Sequence, residues 1–249
     1  MRSGLDSVVA VLGAGLFATV MTSASAQEPA TEFHVAWTEE SATSIIDDES
    51  PWWDAHRFRF GPALYETEFR ALWNADGLYV RFDATDTNPW FTMTNRDDRI
   101  WQEEVVEIFI DLDRSGTNYA EIEINPNNVV TDLRMLRGVP DIEGDIEWDL
   151  EGLESHVRLN KYRDGSTAGW TAVAFLPWAG FQTLPSAETI EVPPAPADRW
   201  RFNVFRIKRP GGAQRPTQDA VFASWSPITG ESFHEPAVFR DLIFDPESE

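Results

Sequence analysis

Short bursts of two-residue alternation, separated by turn residues, run through this chain, and no long helical period replaces them. The clearest burst lies in Ile100–Asn125, IWQEEVVEIFIDLDRSGTNYAEIEIN. From Tyr119 to Asn125, Ile122 and Ile124 alternate with Glu121, Glu123 and Asn125. Successive side chains of a strand point to opposite faces, so this spacing predicts a strand with one apolar and one polar face. From Glu104 to Asp111, Val105, Ile108 and Ile110 interleave with Glu107 and Asp111, and Phe109 breaks strict alternation. The link RSGTN carries Gly116 and Asn118, both good turn formers. The two segments therefore read as a hairpin. One face presents Glu107, Glu121, Glu123 and Asn125, with Trp101 at its entrance. Carboxylates and amides hydrogen-bond hydroxyl groups, and an indole face packs on the C–H face of a sugar ring. The pattern fits a wall for a hydroxyl-rich ligand, and it equally fits a solvated outer face beside one buried Trp.

The same rhythm recurs elsewhere. Glu66 to Trp73, the turn Asn74-Ala75-Asp76-Gly77, and Leu78 to Ala84 form a second hairpin. Further strands are predicted at Phe33–Trp37, Val129–Leu136, Ser155–Tyr162, Trp170–Leu176, Trp200–Lys208, Val221–Trp225 and Val238–Phe244. In Trp200–Lys208, Phe202, Val204 and Arg206 fall on one side, with Asn203, Phe205 and Ile207 on the other. Pro177–Phe181 reads as a short helix. Apart from the strand at Phe33, residues 27–50 read as an acidic loop, as do residues 138–152; residues 188–198 read as a Pro- and Ala-rich surface loop. Regularly spaced short strands without a repeat or a linker indicate an all-β chain, a β-sandwich of one domain over residues 30–247. A chain of 249 residues with 42% hydrophobic content can build that core.

Charge and cysteine content narrow the partners. Forty-two acidic against 20 basic residues give a net charge of -22. That field repels nucleic acid and anionic membrane surfaces. With no cysteine, disulfides, thiolate metal sites, cysteine nucleophiles and a lipid-anchored cysteine are excluded. Residues 1–26 have the shape of a secretory signal peptide: Arg2, the apolar run Val8–Met21, and the small-residue site Ala24-Ser25-Ala26 before Gln27. A secreted or periplasmic location is expected, with no membrane span in the mature chain.

Catalytic signatures are missing: Gly-x-Ser-x-Gly, a P-loop, His-Glu-x-x-His and a Rossmann glycine run do not occur. His34, His56, His156 and His234 are scattered singly and read as structural or surface residues. Paired carboxylates such as Glu103/Glu104 and Glu121/Glu123 are expected by chance among so many acids, so glycoside hydrolysis is not indicated. Two stretches carry enough oxygens to raise calcium as a cofactor. One is the loop with Asp83, Asp86, Asn88, Asp97 and Asp98. The other is Asp111-x-Asp113-x-Ser115-Gly116, whose twelfth position is Ile122 and not an acid, so it reads as a hairpin loop.

Several motifs in order carry a family resemblance. They are the Asp47-to-Trp53 start, ALWNADGLYVRFDATD, WQEEVVEIFIDLD, NYAEIEINPNN, GWTAVAFLPW, WRFNVFRIKR and SWSPITGESFHEPAVF. Together they resemble family 9 carbohydrate-binding modules, in particular exported family 9-like proteins. The resemblance implies a β-sandwich related to DOMON-like domains, no catalysis, and binding of an oligo- or polysaccharide between two aromatic rings. On that pattern Trp101 and Phe233 match the rings, Glu107 the strand carboxylate, and Asn125 the asparagine ending the next strand. Glu123 stands where sugar binders carry arginine, and Gly230 where they carry asparagine. Glu123 is kept in the implied site as a further hydrogen-bonding group. Two other readings stay open. DOMON-like relatives include haem-binding or electron-transfer subunits, for which only Met93 and Met135 remain as methionine ligands after leader removal. The chain also suits a partner-binding domain of the cell envelope.

Overall fold

The alternating segments become strands in the computed structural model, which describes residues 31–47 and 49–247. The leader expected at residues 1–26 lies outside the described residues. The strands are β1 Glu32–Trp37, β2 Arg57–Phe60, β3 Thr67–Trp73, β4 Gly77–Thr85, β5 Val105–Asp111, β6 Tyr119–Ile124, β7 Val130–Arg137, β8 Glu143–Asp145, β9 Glu154–Lys161, β10 Thr167–Pro177, β11 Arg199–Lys208, β12 Val221–Ser224 and β13 Arg240–Phe244. Two short helices, α1 Ala42–Asp47 and α2 Trp178–Phe181, are set among them.

The strands form two sheets sharing β1, an open all-β sandwich. In the first sheet the order is β8-β7-β6-β5-β11, followed by β13 and β1; β12 pairs with the other half of the same β11 edge. The first part of β1 runs parallel to β13. Its last residues, Ala36 and Trp37, leave that sheet and pair with Leu72 and Trp73 of β3. The second sheet continues as β3-β4-β10-β9, with β2 on the outer half of β3. The β3–β4 turn is fixed by Asn74, whose Oδ1 accepts the Asp76 and Gly77 N–H groups at 2.9 and 3.3 Å. At Gly77 a Cβ would fall 2.6 Å from the Leu176 carbonyl oxygen, so glycine is required there.

Inward-facing residues of both sheets meet in one core. Val106, Ile108 and Ile110 of β5, Ile122 and Ile124 of β6, and Phe202 and Val204 of β11 pack against Phe69, Ala71, Phe82, Trp170 and Ala172 of the second sheet. Each such side chain stabilises the fold by roughly 1.5–3 kcal/mol on burial. Two elements arise in segments read as loops, α1 and β8, and β2 in a segment given no reading. Each is too short for a period to register in the sequence. α1 is held by packing, since Ile45 joins Trp52, Leu72 and Tyr79, and the Trp52 indole N–H donates to the Ile45 carbonyl at 3.0 Å.

One inward position is ionic. Arg206 follows Phe202 and Val204 on the core side of β11 and is fully buried. Its Nη2 donates to Asp86 Oδ2 at 2.8 Å, and its guanidinium lies 4.8 Å from the Trp170 ring centroid. Lys208 Nζ reaches Asp86 Oδ1 at 2.9 Å and Glu104 Oε1 at 2.6 Å. All four side chains are buried. Two cations face two carboxyl groups here, the pairing that lets charges persist inside a protein. This cluster clamps the segment from Asp86 to Glu104 onto the end of β11. Arg209 adds bonds to the main-chain carbonyls of Glu103 and Trp101 at 3.0 and 3.1 Å.

Candidate functional site

The outer face of the first sheet carries a polar square inside an apolar field. In the β5–β6 pair, Glu107 stands opposite Glu123, and Phe109 opposite Glu121. Across β11, Glu107 is in register with Phe205, and across β7, Glu121 is in register with Leu133. The alternation of β5 is therefore geometrically strict. Phe109, which breaks the apolar–polar pattern, lies on the outer face beside Glu107, and that face is covered.

The cover comes from distant parts of the chain. Trp101 enters on the 3-10 turn Ile100–Gln102, held by the clamp described above. Phe222 of β12 is in register with Ile207. The closing loop brings Ser232, Phe233 and His234, and β8 brings Gly144. Phe233 lies on Phe205, with ring centroids 4.2 Å apart and planes at 21°. One face of Phe233 is thus taken by the sheet, and Phe222 meets the ring edge-on at 6.1 Å. His234 stacks on Phe109 at 5.2 Å. The loop docks through the Val139 N–H, which donates to the His234 carbonyl at 2.7 Å. Gly138 makes this possible, since a Cβ there would sit 2.3 Å from that carbonyl oxygen. Gly138→Ala is expected to push the loop off the sheet and weaken any ligand response of the site, with a native far-UV spectrum retained; a tryptophan-fluorescence titration reads it.

These parts enclose an open cavity of about 450 Å³. Its floor is Glu107, Glu121 and Glu123, and its walls include Trp101, Phe109, Phe222 and Phe233. One oxygen from each carboxyl group lies within 4.8 Å of the others. All three residues are buried. Glu107 Oε1, Glu121 Oε2 and Glu123 Oε2 have no hydrogen-bond partner among the described residues.

Burial dominates the electrostatics. It pushes the Glu107 carboxyl well above the usual range, and the neighbouring Glu121 charge adds to this. Burial raises Glu121 to about 7. It also raises Glu123 well above the ordinary value, reinforced by the charges of Glu107 and Glu121. His234 Nδ1 lies 3.7 Å from Glu121 Oε2. Burial lowers that imidazole to about 4, so it is neutral near pH 7 and is not the counter-ion. Its Nδ1 instead shares a 3.2 Å hydrogen bond with the Tyr119 hydroxyl.

Of the five residues the sequence singles out, Trp101, Glu107, Glu123 and Phe233 line this one cavity. Asn125 does not line it. Its Oδ1 accepts the Asn127 and Val129 N–H groups, both at 2.9 Å, and its Nδ2 donates to the Met93 carbonyl at 3.3 Å. Asn125 builds the β6–β7 turn and steadies the segment leading to Trp101. Glu121, Phe222 and His234 also line the cavity without having been named as site residues. Glu121 shares the alternation of Glu123 and was there to be read, whereas Phe222 and His234 carry no local signal.

The oxygens of the 83–98 loop do not converge on one point. Asp83 pairs with Arg81 at 2.8 Å, Asp86 belongs to the buried cluster, and Asp98 accepts the Thr94 and Asn95 N–H groups. Asp97 does approach Asp132 and Asp149, but Arg96 pairs with all three, which places a guanidinium where a metal ion would sit. Asp111 accepts the Gly116 N–H at 2.9 Å and closes its hairpin.

Comparison with known proteins places this architecture. Solved structures share the fold at low identity. A Bacteroides uniformis protein has a TM-score of 0.64 at 16% identity, over 86% of this chain and 99% of its own. A family 9 carbohydrate-binding module from Caldicellulosiruptor kristjanssonii, solved with cellotriose, has a TM-score of 0.60 at 14% identity, over 88% of this chain and 95% of its own. A module of that family from the same organism, solved with glucose, has a TM-score of 0.60 at 15% identity, over 88% and 97%. No curated protein sequence matches the chain. The profile described as "Carbohydrate family 9 binding domain-like" matches residues 61–245, and the chain belongs to that family.

Proposed function

We propose that the chain is an exported, non-catalytic carbohydrate-binding protein that receives a sugar unit in the cavity between Trp101 and Phe233. The observation that carries this reading is the joining of aromatic rings and unpartnered carboxyl oxygens in one open cavity of about 450 Å³. Ring faces accept the C–H face of a sugar, and a few placed polar groups fix its hydroxyls. Family membership and the sugars held by the two Caldicellulosiruptor kristjanssonii modules support the same ligand class. Export is supported by the leader-like residues 1–26 and fits the lack, among the described residues, of a helix able to cross a membrane. A binding role is favoured over hydrolysis because the three carboxyl groups converge on one point of a sheet. Glycosidase carboxylates flank the scissile bond from two sides.

The test is calorimetry and tryptophan fluorescence against a broad set of oligosaccharides. Trp101→Ala is expected to weaken binding about tenfold, the effect of losing roughly 1–1.5 kcal/mol of ring contact. A folded protein that binds no saccharide in either assay overturns the reading.

A further inference from the structure

Resting on the carbohydrate reading, we infer that the sugar this cavity selects carries a free amino group, whose ammonium is held by Glu107, Glu121 and Glu123. The carboxylates alone would not carry this. The second observation is that all three side chains line an open cavity, and that each has one buried oxygen without a hydrogen-bond partner among the described residues. Buried carboxyl oxygens in that state call for a bound proton, a metal ion or a cationic ligand that displaces the proton.

The geometry favours an ammonium. Three N–H···O bonds of about 2.8 Å leaving one tetrahedral nitrogen set their acceptors about 4.6 Å apart. One oxygen of each carboxyl group lies no more than 4.8 Å from the others, close enough for one nitrogen to reach all three. A calcium ion would need six to eight oxygens; beside the trio the cavity adds only the side-chain oxygens of Glu231 and Ser232, and the rest of its wall is Arg99, His234 and apolar or aromatic side chains such as Leu133 and Ile207. Those walls suit the carbon skeleton of an organic cation, and ring faces also attract its charge. Glu121 and Glu123 share a hydrogen bond, so a proton is the occupant the floor can supply for itself; Arg99 lines the same cavity without an ion pair to the trio among the described residues. Arg209 donates to the main-chain carbonyls of Glu103, Pro216 and Trp101, and His234 is neutral. A neutral hexose offers this floor hydroxyl donors but no charge. The same hexose with an amine at one carbon offers both a charge and a C–H face for Trp101.

The experiment titrates the full chain at pH 7 in EDTA with β-1,4-linked trimers of glucosamine, N-acetylglucosamine and glucose, and with cyclohexylamine. The glucosamine trimer is expected to bind at least about tenfold tighter than the other two trimers, in line with charge-assisted hydrogen bonds. Glu123→Gln is expected to shrink that ratio about tenfold, and circular dichroism confirms its fold. Equal or tighter binding of the glucose trimer overturns the amine inference and leaves the carbohydrate reading standing. Equal binding of cyclohexylamine overturns the saccharide part. Binding that appears only when calcium replaces EDTA assigns the trio to a metal and overturns the inference. If no trimer binds under any condition, the amine inference and the carbohydrate reading both fall.

Discussion

Asp86→Ala is expected to lower the melting temperature by about 10 °C or more. Asp86 is the anion that Arg206 and Lys208 share, at 2.8 and 2.9 Å, and all three side chains are buried. Removing one partner of a buried ionic network leaves uncompensated charge and costs about 3–5 kcal/mol. For a domain of this size each kcal/mol moves the midpoint by about 2–4 °C. Arg206 has little to fall back on: its Nε and Nη1 already lack partners among the described residues, and what stays near it is the Trp170 ring and the Glu104 charge. Lys208 keeps Glu104. Burial and the Asp86 charge raise Glu104 to about 7, so loss of Asp86 favours ionised Glu104 and softens the damage from the Lys208 side. The surface control is Arg199→Ala. Arg199 bridges Glu32 and Asp241 at 3.2 and 3.0 Å across exposed surface, and exposed pairs contribute below about 1 kcal/mol. Thermal melts followed by circular dichroism separate the two cases, and equal midpoints for both variants would refute the buried-cluster account. Since the cluster clamps the segment carrying Trp101, Asp86→Ala should also loosen the ligand site.

The same residues show what period-two spacing conveys. Alternation sorts side chains between faces, so Phe202, Val204 and Arg206 were legible as one face of a strand, as were Ile122 and Ile124. It does not say which distant segment covers a face. Arg206 is buried because Asp86, 120 positions away, supplies its counter-charge, and no local pattern encodes that pairing. Likewise the polar face of β5 and β6 reads as wet, while Trp101, Phe222 and the closing loop make it the floor of a cavity. Phe109 was the local sign of this: an aromatic residue on a polar face implies a cover. The sheet order was also out of reach, because β1 divides itself between β13 and β3. Asn125 shows the opposite case. Alternation and the family resemblance put it in the site, whereas its amide is engaged with the turn backbone, the ordinary use of Asn where a chain reverses.

Thermal stability is expected to fall as pH rises from about 5 to 7.5, and Glu107→Gln is expected to flatten that fall and raise the melting temperature at pH 7.5 by about 5 °C. Glu107 and Glu123 are directly opposed across β5 and β6, an arrangement that is unfavourable for like charges even on a wet sheet. Burial raises both, and takes Glu121 to about 7. Burial also takes Asp111 to about 6. A carboxyl group whose folded value exceeds its unfolded one, near 4.5, holds its proton in the folded state while the unfolded chain has lost it. Stability therefore drops as pH climbs from about 4.5 to 7. His234 opposes this: with a folded value near 4, it contributes stability that grows as pH rises from about 4 to 6.5. One imidazole is outweighed by several carboxyl groups. Below about pH 4 the sign reverses again, since Glu49, Glu68 and Asp83 are held low by arginine partners and lose them on protonation. An optimum near pH 5 follows, at the acid edge of the range where an ordinary soluble domain is most stable. For Glu121 the shift corresponds to about 3 kcal/mol, or roughly 5–10 °C, so melts at pH 5, 6, 7 and 8 resolve it easily. A midpoint that is flat or rising across that series would mean that the three carboxyl groups meet more water, or a tighter counter-charge, than this cavity gives them. If the fall is observed, the trio is a source of instability in the empty protein. A ligand that brings a positive charge to Glu107, Glu121 and Glu123 then removes that instability on binding, and its stabilisation of the fold should be larger at pH 7.5 than at pH 5.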